Sequence, residues 1–140
     1  MPEATPTWEL FLLALCIYRE ASNQPYEAKL GVAWSIANRV SRPRWWGHNW
    51  TEVITLKDQY TSMTWGGDPN LTRWPSGIND PVWFDCLRAA AAAMRGGVGE
   101  DPVRGATHYF DQSIPAPRWT KVPTSQHMLD IGAFQFWRVE

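Results

Sequence analysis

The sequence lacks an excess of charge of either sign. It has 13 Lys and Arg residues against 14 Asp and Glu residues in a chain of 140, so its formal net charge is −1. A domain that binds nucleic acid normally carries a strongly basic face. We therefore expect no nucleic-acid partner.

Cysteine and histidine are also scarce. The two cysteines, Cys16 and Cys86, lie in apolar segments of helical pattern, which favours buried free thiols over a disulfide. His48, His108 and His127 show no spacing that is typical of a metal site, and the cysteines are distant from them in sequence. We therefore expect no metal ion and no other cofactor.

Long apolar segments are absent as well. Residues 10–18 are apolar, but this run is well short of the roughly 20 residues that a membrane-spanning helix needs. The residues before it lack the positive charge of a secretory signal, and no small-residue cleavage site follows it. We therefore expect no signal peptide, no membrane contact and synthesis in the cytoplasm.

Tryptophan, in contrast, is abundant. Ten Trp, four Tyr and five Phe give more flat aromatic surface than the core of a 140-residue chain needs, so we expect some of these rings to face a ligand. The length predicts a single domain over residues 1–140. We expect this domain to be a monomer.

The sequence pattern predicts several helices. Apolar residues at three- and four-residue spacing place them over residues 8–22, 26–40, 51–56 and 82–95. Thr7 and Asp80 are suitable N-caps, and Pro25 is expected at the first position of the second helix. Gly96-Gly97 is expected to end the last helix.

Two strands are predicted late in the chain. Residues 105–110 and 131–139 are rich in aromatic and β-branched side chains, and a Pro-bearing loop around Trp119 separates them. Residues 57–79 show no clear period, and so long a loop in a compact domain is usually functional. The sequence therefore predicts an α+β class, in which a mainly helical domain carries a small antiparallel sheet.

Glu20 is the first candidate for chemistry. It extends the apolar faces of the first helix and lies at the C-terminal end of that helix, where the helix dipole is negative. Both effects are expected to raise the pKa of its carboxyl, which could then donate a proton to a glycosidic oxygen. The alternative is a surface ion pair with Arg19 or Arg39, and composition and spacing alone do not favour the catalytic reading.

Short segments in a definite order span the chain from about residue 10 to residue 138. They are Ile17-Tyr18-Arg19-Glu20-Ala21, Pro25-Tyr26-Glu27-Ala28, Val32-Ala33-Trp34-Ser35-Ile36-Ala37-Asn38-Arg39-Val40, Gln59-Tyr60-Thr61, Gly105-Ala106-Thr107-His108-Tyr109, Pro117-Arg118-Trp119, and Ile131-Gly132 with Phe136-Trp137. In order and spacing they resemble the cell-wall hydrolase family typified by the catalytic domain of the spore-cortex lytic enzyme.

The resemblance implies a lysozyme-like fold and cleavage of the linkage between MurNAc and GlcNAc in peptidoglycan. It also implies a catalytic role for Glu20, which matches the catalytic Glu of the family. Two departures limit what can be transferred. Gln24 stands where the family often has a second Glu, and Ala133-Phe134 replaces an Asn-His pair.

A second catalytic acid is not evident. A glycoside hydrolase needs two carboxyl groups, one on either side of the scissile bond, and Asp58, Asp68 and Asp111 are the possible partners, although each is also an ordinary loop or turn residue. A lytic transglycosylase needs one Glu, which protonates the leaving oxygen and then helps a substrate hydroxyl close a 1,6-anhydro ring. The missing acid and the family resemblance favour the lytic transglycosylase over a hydrolytic muramidase.

Other residues are predicted to bind the glycan. Aromatic rings suit the apolar faces of sugars, and Gln and Thr can bind their N-acetyl and hydroxyl groups. The candidates are Gln59, Tyr60, Thr61, Trp65, His108, Tyr109 and Trp119. For His108 a structural role is equally compatible with the sequence. Trp8, Trp34 and Trp83 fit helical core positions instead.

Two other classes of function remain as alternatives. A non-catalytic wall-binding module would use the same Trp-rich surface without Glu20, whereas an amidase or peptidase would need a metal cluster or a nucleophile paired with His. The expected partner is the glycan strand of bacterial peptidoglycan, although a net charge of −1 predicts no attraction to an anionic wall polymer. Action on the cell wall without a signal peptide fits a phage lysin made in an infected host, or a virion component.

Overall fold

The computed structural model describes residues 7–96 and 100–140. Within them it contains five α-helices and a three-stranded antiparallel sheet, so the predicted α+β class is confirmed. The elements are α1 (Thr7–Ala21), α2 (Tyr26–Ser41), α3 (Trp50–Thr55), α4 (Thr61–Thr64), α5 (Pro81–Arg95), β1 (His108–Asp111), β2 (Gln126–Ile131) and β3 (Phe134–Arg138).

Helix α1 lies at the centre of the core. Every residue from 12 to 18 is buried, because this segment is apolar on all its faces. Leu13, Cys16 and Ile17 have no exposed surface at all. Helices α5 and α2 pack against α1. Packing on several sides therefore determines where the last turn of α1, which carries Glu20, is placed.

The sheet has β3 as its middle strand, with β1 and β2 antiparallel on either side. Phe136 of β3 is fully buried and faces α2, where Gly31 leaves room for its ring. A Cβ atom at Gly31 would lie only 2.7 Å from Phe136 Cζ. Contact between this ring and the glycine therefore positions the sheet on α2.

The predicted helices are present with nearly the predicted bounds. Asp80 caps α5 as expected, since its Oδ1 accepts hydrogen bonds from the backbone N–H groups of residues 82 and 83. Gly96 follows α5 with a positive φ of 64°, while Gly97 lies outside the described residues. Thr7 belongs to α1, and the residues before it are likewise not described.

Pro25 is not where the sequence predicted it. It is the N-cap of α2 in an extended conformation, rather than the first helical residue. Its carbonyl accepts hydrogen bonds from the backbone N–H groups of Ala28 and Lys29. The proline ring restricts φ to a value that both positions share, so the residue type alone could not separate them.

The second half of the chain differs more from expectation. The aperiodic segment 57–79 contains α4 and a 3₁₀ turn at Pro69–Thr72. Strand β2 was not predicted, because its polar residues and its exposed, irregular edge hide the usual alternation. The predicted strand over residues 131–139 spans the end of β2, a turn at Gly132 and β3.

Cys16 and Cys86 are both buried and free, as the sequence predicted. Across residues 7–96 and 100–140, no helix has the length and apolar character needed to cross a bilayer. In the same part of the chain, no group of three or more His, Cys, Asp and Glu side chains is arranged to hold a metal ion.

The contact between Gly31 and Phe136 gives a test of the fold. We expect Gly31→Ala to destabilise the protein by about 1–3 kcal/mol, because the added methyl would overpack the buried ring and outweigh the better helix propensity of alanine. The measurement is urea unfolding followed by circular dichroism. Gly66→Ala is the control, since a Cβ there would meet nothing within 4 Å. Equal or greater stability of Gly31→Ala would contradict the described packing.

Candidate active site

Glu20 lies at the end of α1, where it meets β1. Its Oε1 accepts a hydrogen bond of 2.7 Å from the hydroxyl of Tyr109 on β1. The residue is partly exposed, so a ligand can reach it. Glu20 forms no salt bridge with any described residue, and the alternative of a surface ion pair with Arg19 or Arg39 is therefore wrong.

The surroundings of Glu20 raise the pKa of its carboxyl above the ordinary value. Burial is the largest cause, and the negative charge of Asp68 acts in the same direction. The hydroxyls of Ser62 and Tyr109 lower the pKa, because they stabilise the charged form. The net effect is a carboxyl that holds its proton more tightly than an exposed Glu, as the sequence predicted.

The Tyr109 hydroxyl remains a donor under these conditions. Burial raises the pKa of Tyr109 well above its ordinary value, and the neighbouring charge of Glu20 raises it further. The ring packs against Phe134 and Phe136, with centroid distances of 5.2 and 5.8 Å. The sheet therefore holds the hydroxyl in place toward Glu20.

Arg19, next to Glu20 in sequence, fixes the segment on the other side of the site. It is buried, and it donates to the backbone carbonyls of Arg73 at 3.0 Å and Ser62 at 3.2 Å. Its guanidinium carbon lies 4.8 Å from the centroid of the Trp74 ring. Arg19 therefore binds α4 and the segment near residue 73 to the end of α1.

Arg39 on α2 has a similar role. It is also buried, and its Nε donates to the carbonyl of Thr107 at 2.6 Å while its Nη1 donates to Gln59 Oε1 at 3.1 Å. The ring of Tyr60 lies 5.4 Å from its guanidinium carbon. Arg39 therefore joins the segment before α4 to the strand that carries Tyr109.

Asp68 is the acid that the structure associates with Glu20, through its effect on the Glu20 pKa. Thr61 Oγ1 donates to Asp68 Oδ2 at 2.6 Å, and the backbone N–H of Asn70 donates to Oδ1 at 2.8 Å. These bonds hold the carboxylate in one orientation. Asp58 is exposed in the segment before α4, with φ of 65°.

Asp111, the third candidate acid, has a local structural role. Its Oδ1 accepts a hydrogen bond of 2.9 Å from the backbone N–H of Ser113, which is typical of a turn. It ends β1, two residues beyond Tyr109. Of the three acids weighed from the sequence, Asp68 is the one with a described electrostatic link to Glu20.

The predicted glycan-binding residues divide by exposure. Five of them are partly or fully exposed, namely Gln59, Thr61, Trp65, Tyr109 and Trp119. Trp65 is 57% exposed, whereas Tyr60 and His108 are only 3% and 6% exposed. The structure thus places Thr61 and Tyr109 in direct contact with the acids of the site. Contact of any of the seven with a glycan stays a prediction.

His108 is packed among aromatic rings. The centroid of its ring lies 6.1 Å from that of Trp46 and 5.0 Å from that of Trp119, and Nδ1 shares a hydrogen bond of 2.9 Å with Thr107 Oγ1. Burial lowers the pKa of His108 to about 3, and the charge of Arg39 adds to this effect. The ring is therefore neutral at ordinary pH, and its contacts favour the structural role.

Two hydroxyls beside the site are buried without a hydrogen-bond partner among the described residues. They belong to Tyr60 and Ser62. An unpaired buried hydroxyl costs about 1–3 kcal/mol, so proteins retain few of them. The Ser62 hydroxyl lies near enough to Glu20 to lower the pKa of its carboxyl, although its geometry does not meet that of a full hydrogen bond. Two hydroxyls that make no full hydrogen bond within the described part of the fold therefore lie near this carboxyl.

Gln24 and Ala133, two residues that differ from the family pattern, are in contact with each other. Gln24 Oε1 accepts a hydrogen bond of 2.9 Å from the backbone N–H of Ala133. Gly132, beside it, has φ of 57°, and a Cβ atom there would lie 2.6 Å from Gln24 Oε1. The amide thus holds the turn between β2 and β3 against the loop that follows Glu20.

Ser62 and Trp74 were not predicted to be residues of the site. Trp74 is 59% exposed, and its contact with Arg19 brings it beside the turn that carries Glu20. Both residues belong to the aperiodic segment 57–79, whose length was the only signal available. Their proximity to Glu20 depends on the hydrogen bonds of Arg19, which leave no pattern in the sequence.

Comparison with protein families gives one match. The model of the family described as Cell Wall Hydrolase matches residues 23–137. The match covers α2 to β3 and begins just after Glu20. A comparison with curated protein sequences finds no significant match.

Solved structures with a similar fold include two catalytic domains. The domain of the germination-specific lytic transglycosylase SleB from Bacillus anthracis has a TM-score of 0.73 and 22% identity, with 97% of this chain and 98% of that chain covered. The domain of the Bacillus cereus SleB protein has a TM-score of 0.71 and 23% identity, with 97% and 94% covered. At such identities the likeness shows the fold. It confirms, with the family match, the resemblance seen in the sequence motifs.

The electrostatics of Glu20 can be tested by two substitutions with opposite effects. We expect Tyr109→Phe to raise the pKa of Glu20, because it removes a donor that stabilises the carboxylate. Asp68→Asn should lower it, because it removes a nearby negative charge. Carbon-13 NMR titration of the Glu20 carboxyl measures both shifts. Tyr26→Phe is the matched control and should leave the titration unchanged; a downward shift in Tyr109→Phe would contradict the described hydrogen bond.

The raised pKa also predicts a pH-dependent gain in stability for Glu20→Gln. With a folded-state pKa above the unfolded value of about 4.3, Glu20 favours the folded state fully at pH below that value. This contribution is lost as pH rises through the folded pKa. Gln does not titrate, so the variant should unfold at higher urea concentration than the parent at pH 7.5, and the difference should shrink at pH 4.

Glu27→Gln, at an exposed position of α2, serves as the control for removal of one negative charge. A Glu20→Gln variant that is less stable than the parent at pH 7.5 would show that the carboxylate is well solvated or paired in the fold.

Proposed function

This chain belongs to the Cell Wall Hydrolase family, whose substrate is peptidoglycan, and we propose that it cleaves the MurNAc–GlcNAc bond with Glu20 as general acid and base. The observation that carries the proposal is the partly buried Glu20 carboxyl, with a raised pKa and a hydrogen bond to Tyr109. The family resemblance of the segment around Glu20 supports the same residue.

In the first step Glu20 acts as an acid. Burial favours the protonated carboxyl, which can then donate to the glycosidic oxygen as the bond to the leaving sugar breaks. The MurNAc carbon develops positive charge during this step. The absence of an ion pair to Glu20 among the described residues is important here, because a nearby cation would hold the carboxyl in its charged form.

In the second step Glu20 acts as a base. Its carboxylate, stabilised by the Tyr109 hydroxyl, accepts a proton from the C6 hydroxyl of MurNAc while that oxygen closes a 1,6-anhydro ring. One carboxyl therefore serves both steps, and no water enters the product. This sequence of steps defines a lytic transglycosylase, the activity that the name of the Bacillus anthracis protein also gives.

The alternative is a hydrolytic muramidase. It would need a second carboxylate, and Asp68 is the candidate because Thr61 and the backbone of Asn70 hold it in a fixed orientation. In that reaction Asp68 would activate a water molecule or form a covalent glycosyl intermediate. We favour the transglycosylase, because one carboxyl suffices for it and because the name of the similar Bacillus anthracis protein gives this activity.

The glycan is proposed to lie over the exposed residues around Glu20. The ring of Trp65 is largely exposed and suits a sugar face, and Trp74 offers a second such ring beside Arg19. Gln59 is held by Arg39 through its oxygen, and one of its amide N–H groups donates to the carbonyl of Asp58, so the other can be directed to an N-acetyl carbonyl. A non-catalytic wall-binding module would use the same rings, but it would not require the raised pKa of Glu20.

The biological setting is also a proposal. We propose that the protein is a monomer made in the cytoplasm and that it acts on the cell wall, as a phage lysin, a virion component or a bacterial enzyme, without a nucleic-acid, membrane or cofactor requirement. The balanced charge of the sequence supports the absence of a nucleic-acid partner.

The reaction can be identified from its products. We expect purified peptidoglycan treated with the parent protein to release muropeptides that end in 1,6-anhydro-MurNAc, detected by mass spectrometry. Glu20→Gln should lower the rate of release by about 100-fold or more, because a general acid typically contributes a factor of 10²–10⁴. Glu27→Gln, the same chemical change at an exposed site, is the matched control.

Asp68→Asn separates the two mechanisms. A transglycosylase should keep most of its activity and its anhydro products in this variant, whereas a muramidase should lose its activity. Reducing MurNAc ends from the parent protein, lost in Asp68→Asn, would establish the hydrolytic alternative. If Glu20→Gln cleaves peptidoglycan as fast as the parent protein, Glu20 is not the catalytic acid. If the parent protein binds the wall but does not cleave it, the protein is a non-catalytic wall-binding module.

A further inference from the structure

Three arginines line a cavity that Glu20 does not share. Arg42 and Arg44 lie just after α2, and Arg138 is the last residue of β3. Together with Trp46, Thr107, Val139 and Glu140 they surround about 260 Å³ of space, so three positive side chains and one negative one line the cavity. The net charge of the chain is −1, so this accumulation of positive charge is local.

Two of the guanidinium groups converge on one point. A Cβ atom built on Gly105 would lie 3.6 Å from Arg42 Nη2 and 3.9 Å from Arg138 Nη1, so these nitrogens are at most 7.5 Å apart. Burial lowers the pKa of Arg42, and the charge of Arg138 lowers it further. Glu140 and Asp101 act in the opposite direction on the pKa of Arg42, and Arg42 Nη2 also donates to the carbonyl of Gly105. Like charges repel each other, and a bound anion would relieve the repulsion that remains.

Two carboxylates, Glu140 and Asp101, lie near the three arginines, so positive charge exceeds negative charge at the cavity by one. Glu140 accepts a hydrogen bond of 2.7 Å from Arg138 Nε. Asp101 influences Arg42, but its oxygens already accept hydrogen bonds from the backbone N–H groups of Val103 and Gly105, at 2.8 and 2.7 Å. Within the described part of the chain, no carboxylate forms a salt bridge with Arg42 or Arg44.

The cavity and the candidate active site are connected through the segment at the start of β1. Thr107 lines the cavity, and Tyr109, two residues further along, donates its hydrogen bond to Glu20. The backbones of these two residues are about 7 Å apart, the span of two residues of extended chain, and the Tyr109 side chain adds to this separation. A MurNAc unit bound at Glu20 carries a peptide stem on its lactyl group, and three stem residues can reach about 10 Å.

We propose that this arginine cavity binds a carboxylate of the peptide stem of peptidoglycan, and the proposal rests on the proposed function for the identity of the glycan. Guanidinium groups bind carboxylates through paired, charge-assisted hydrogen bonds. The cavity, of about 260 Å³, has room for the end of a short peptide. The cavity would therefore make the protein prefer glycan strands that retain their stems.

Binding measured without cleavage tests the proposal. In a Glu20→Gln background, Arg42→Gln/Arg138→Gln should raise the Kd for soluble stem-bearing glycan strands about tenfold, which corresponds to about 1.4 kcal/mol. The Kd for strands stripped of stems by an amidase should not change, and this second substrate also reports whether the variant is folded. Arg88→Gln/Arg95→Gln, at two exposed arginines of α5, is the control for lost charge.

Three results would overturn the proposal. The first is an unchanged Kd of the Arg42→Gln/Arg138→Gln variant for stem-bearing strands. The second is an equal loss of affinity for strands with and without stems. The third is a loss of affinity only for walls that keep their teichoic acid, which would assign the cavity to a phosphodiester. Cleavage assays of the parent protein test the proposed function independently of the binding measurements. A parent that cuts neither substrate while the stem-dependent difference in Kd persists would reject the proposed function and retain the arginine cavity.

Discussion

The hydrogen bond of 2.7 Å from Tyr109 to Glu20 is the contact on which the site depends. Burial favours the protonated, neutral form of the Glu20 carboxyl, and the tyrosine hydroxyl favours its charged form. The two effects oppose each other, so both forms are stabilised by the site. A group that must first donate and then accept a proton needs this balance. The bond also joins the end of α1 to the first strand, across 89 positions of sequence.

Two buried arginines make that junction possible. Arg19 and Arg39 bind backbone carbonyls and a side-chain amide, and neither forms a salt bridge in the described residues. They connect α4 and its flanking segments to α1 and β1 without adding a carboxylate. Since neither pairs with Glu20, the two residues hold the surrounding segments in place and leave the pKa of the acid raised.

The sequence predicts the helices well because their signals are local, as in the cap at Asp80 and the apolar run before Glu20. It could not predict β2, an edge strand whose exposed face carries polar residues. Nor could it show that Gln24 and Ala133, two departures from the family pattern, touch across 109 positions. Tyr60 and Trp65 are both aromatic residues of one segment, yet the first is buried and the second exposed, because only tertiary packing separates them.

The most direct test of the central claim is a crystal structure of Glu20→Gln with a peptidoglycan oligosaccharide bound. We expect the side chain at position 20 to lie about 3 Å from a glycosidic oxygen between MurNAc and GlcNAc, with the Tyr109 hydroxyl still beside it. An oligosaccharide bound on another face of the protein, with no glycosidic oxygen near position 20, would contradict the assignment of Glu20 as the catalytic acid.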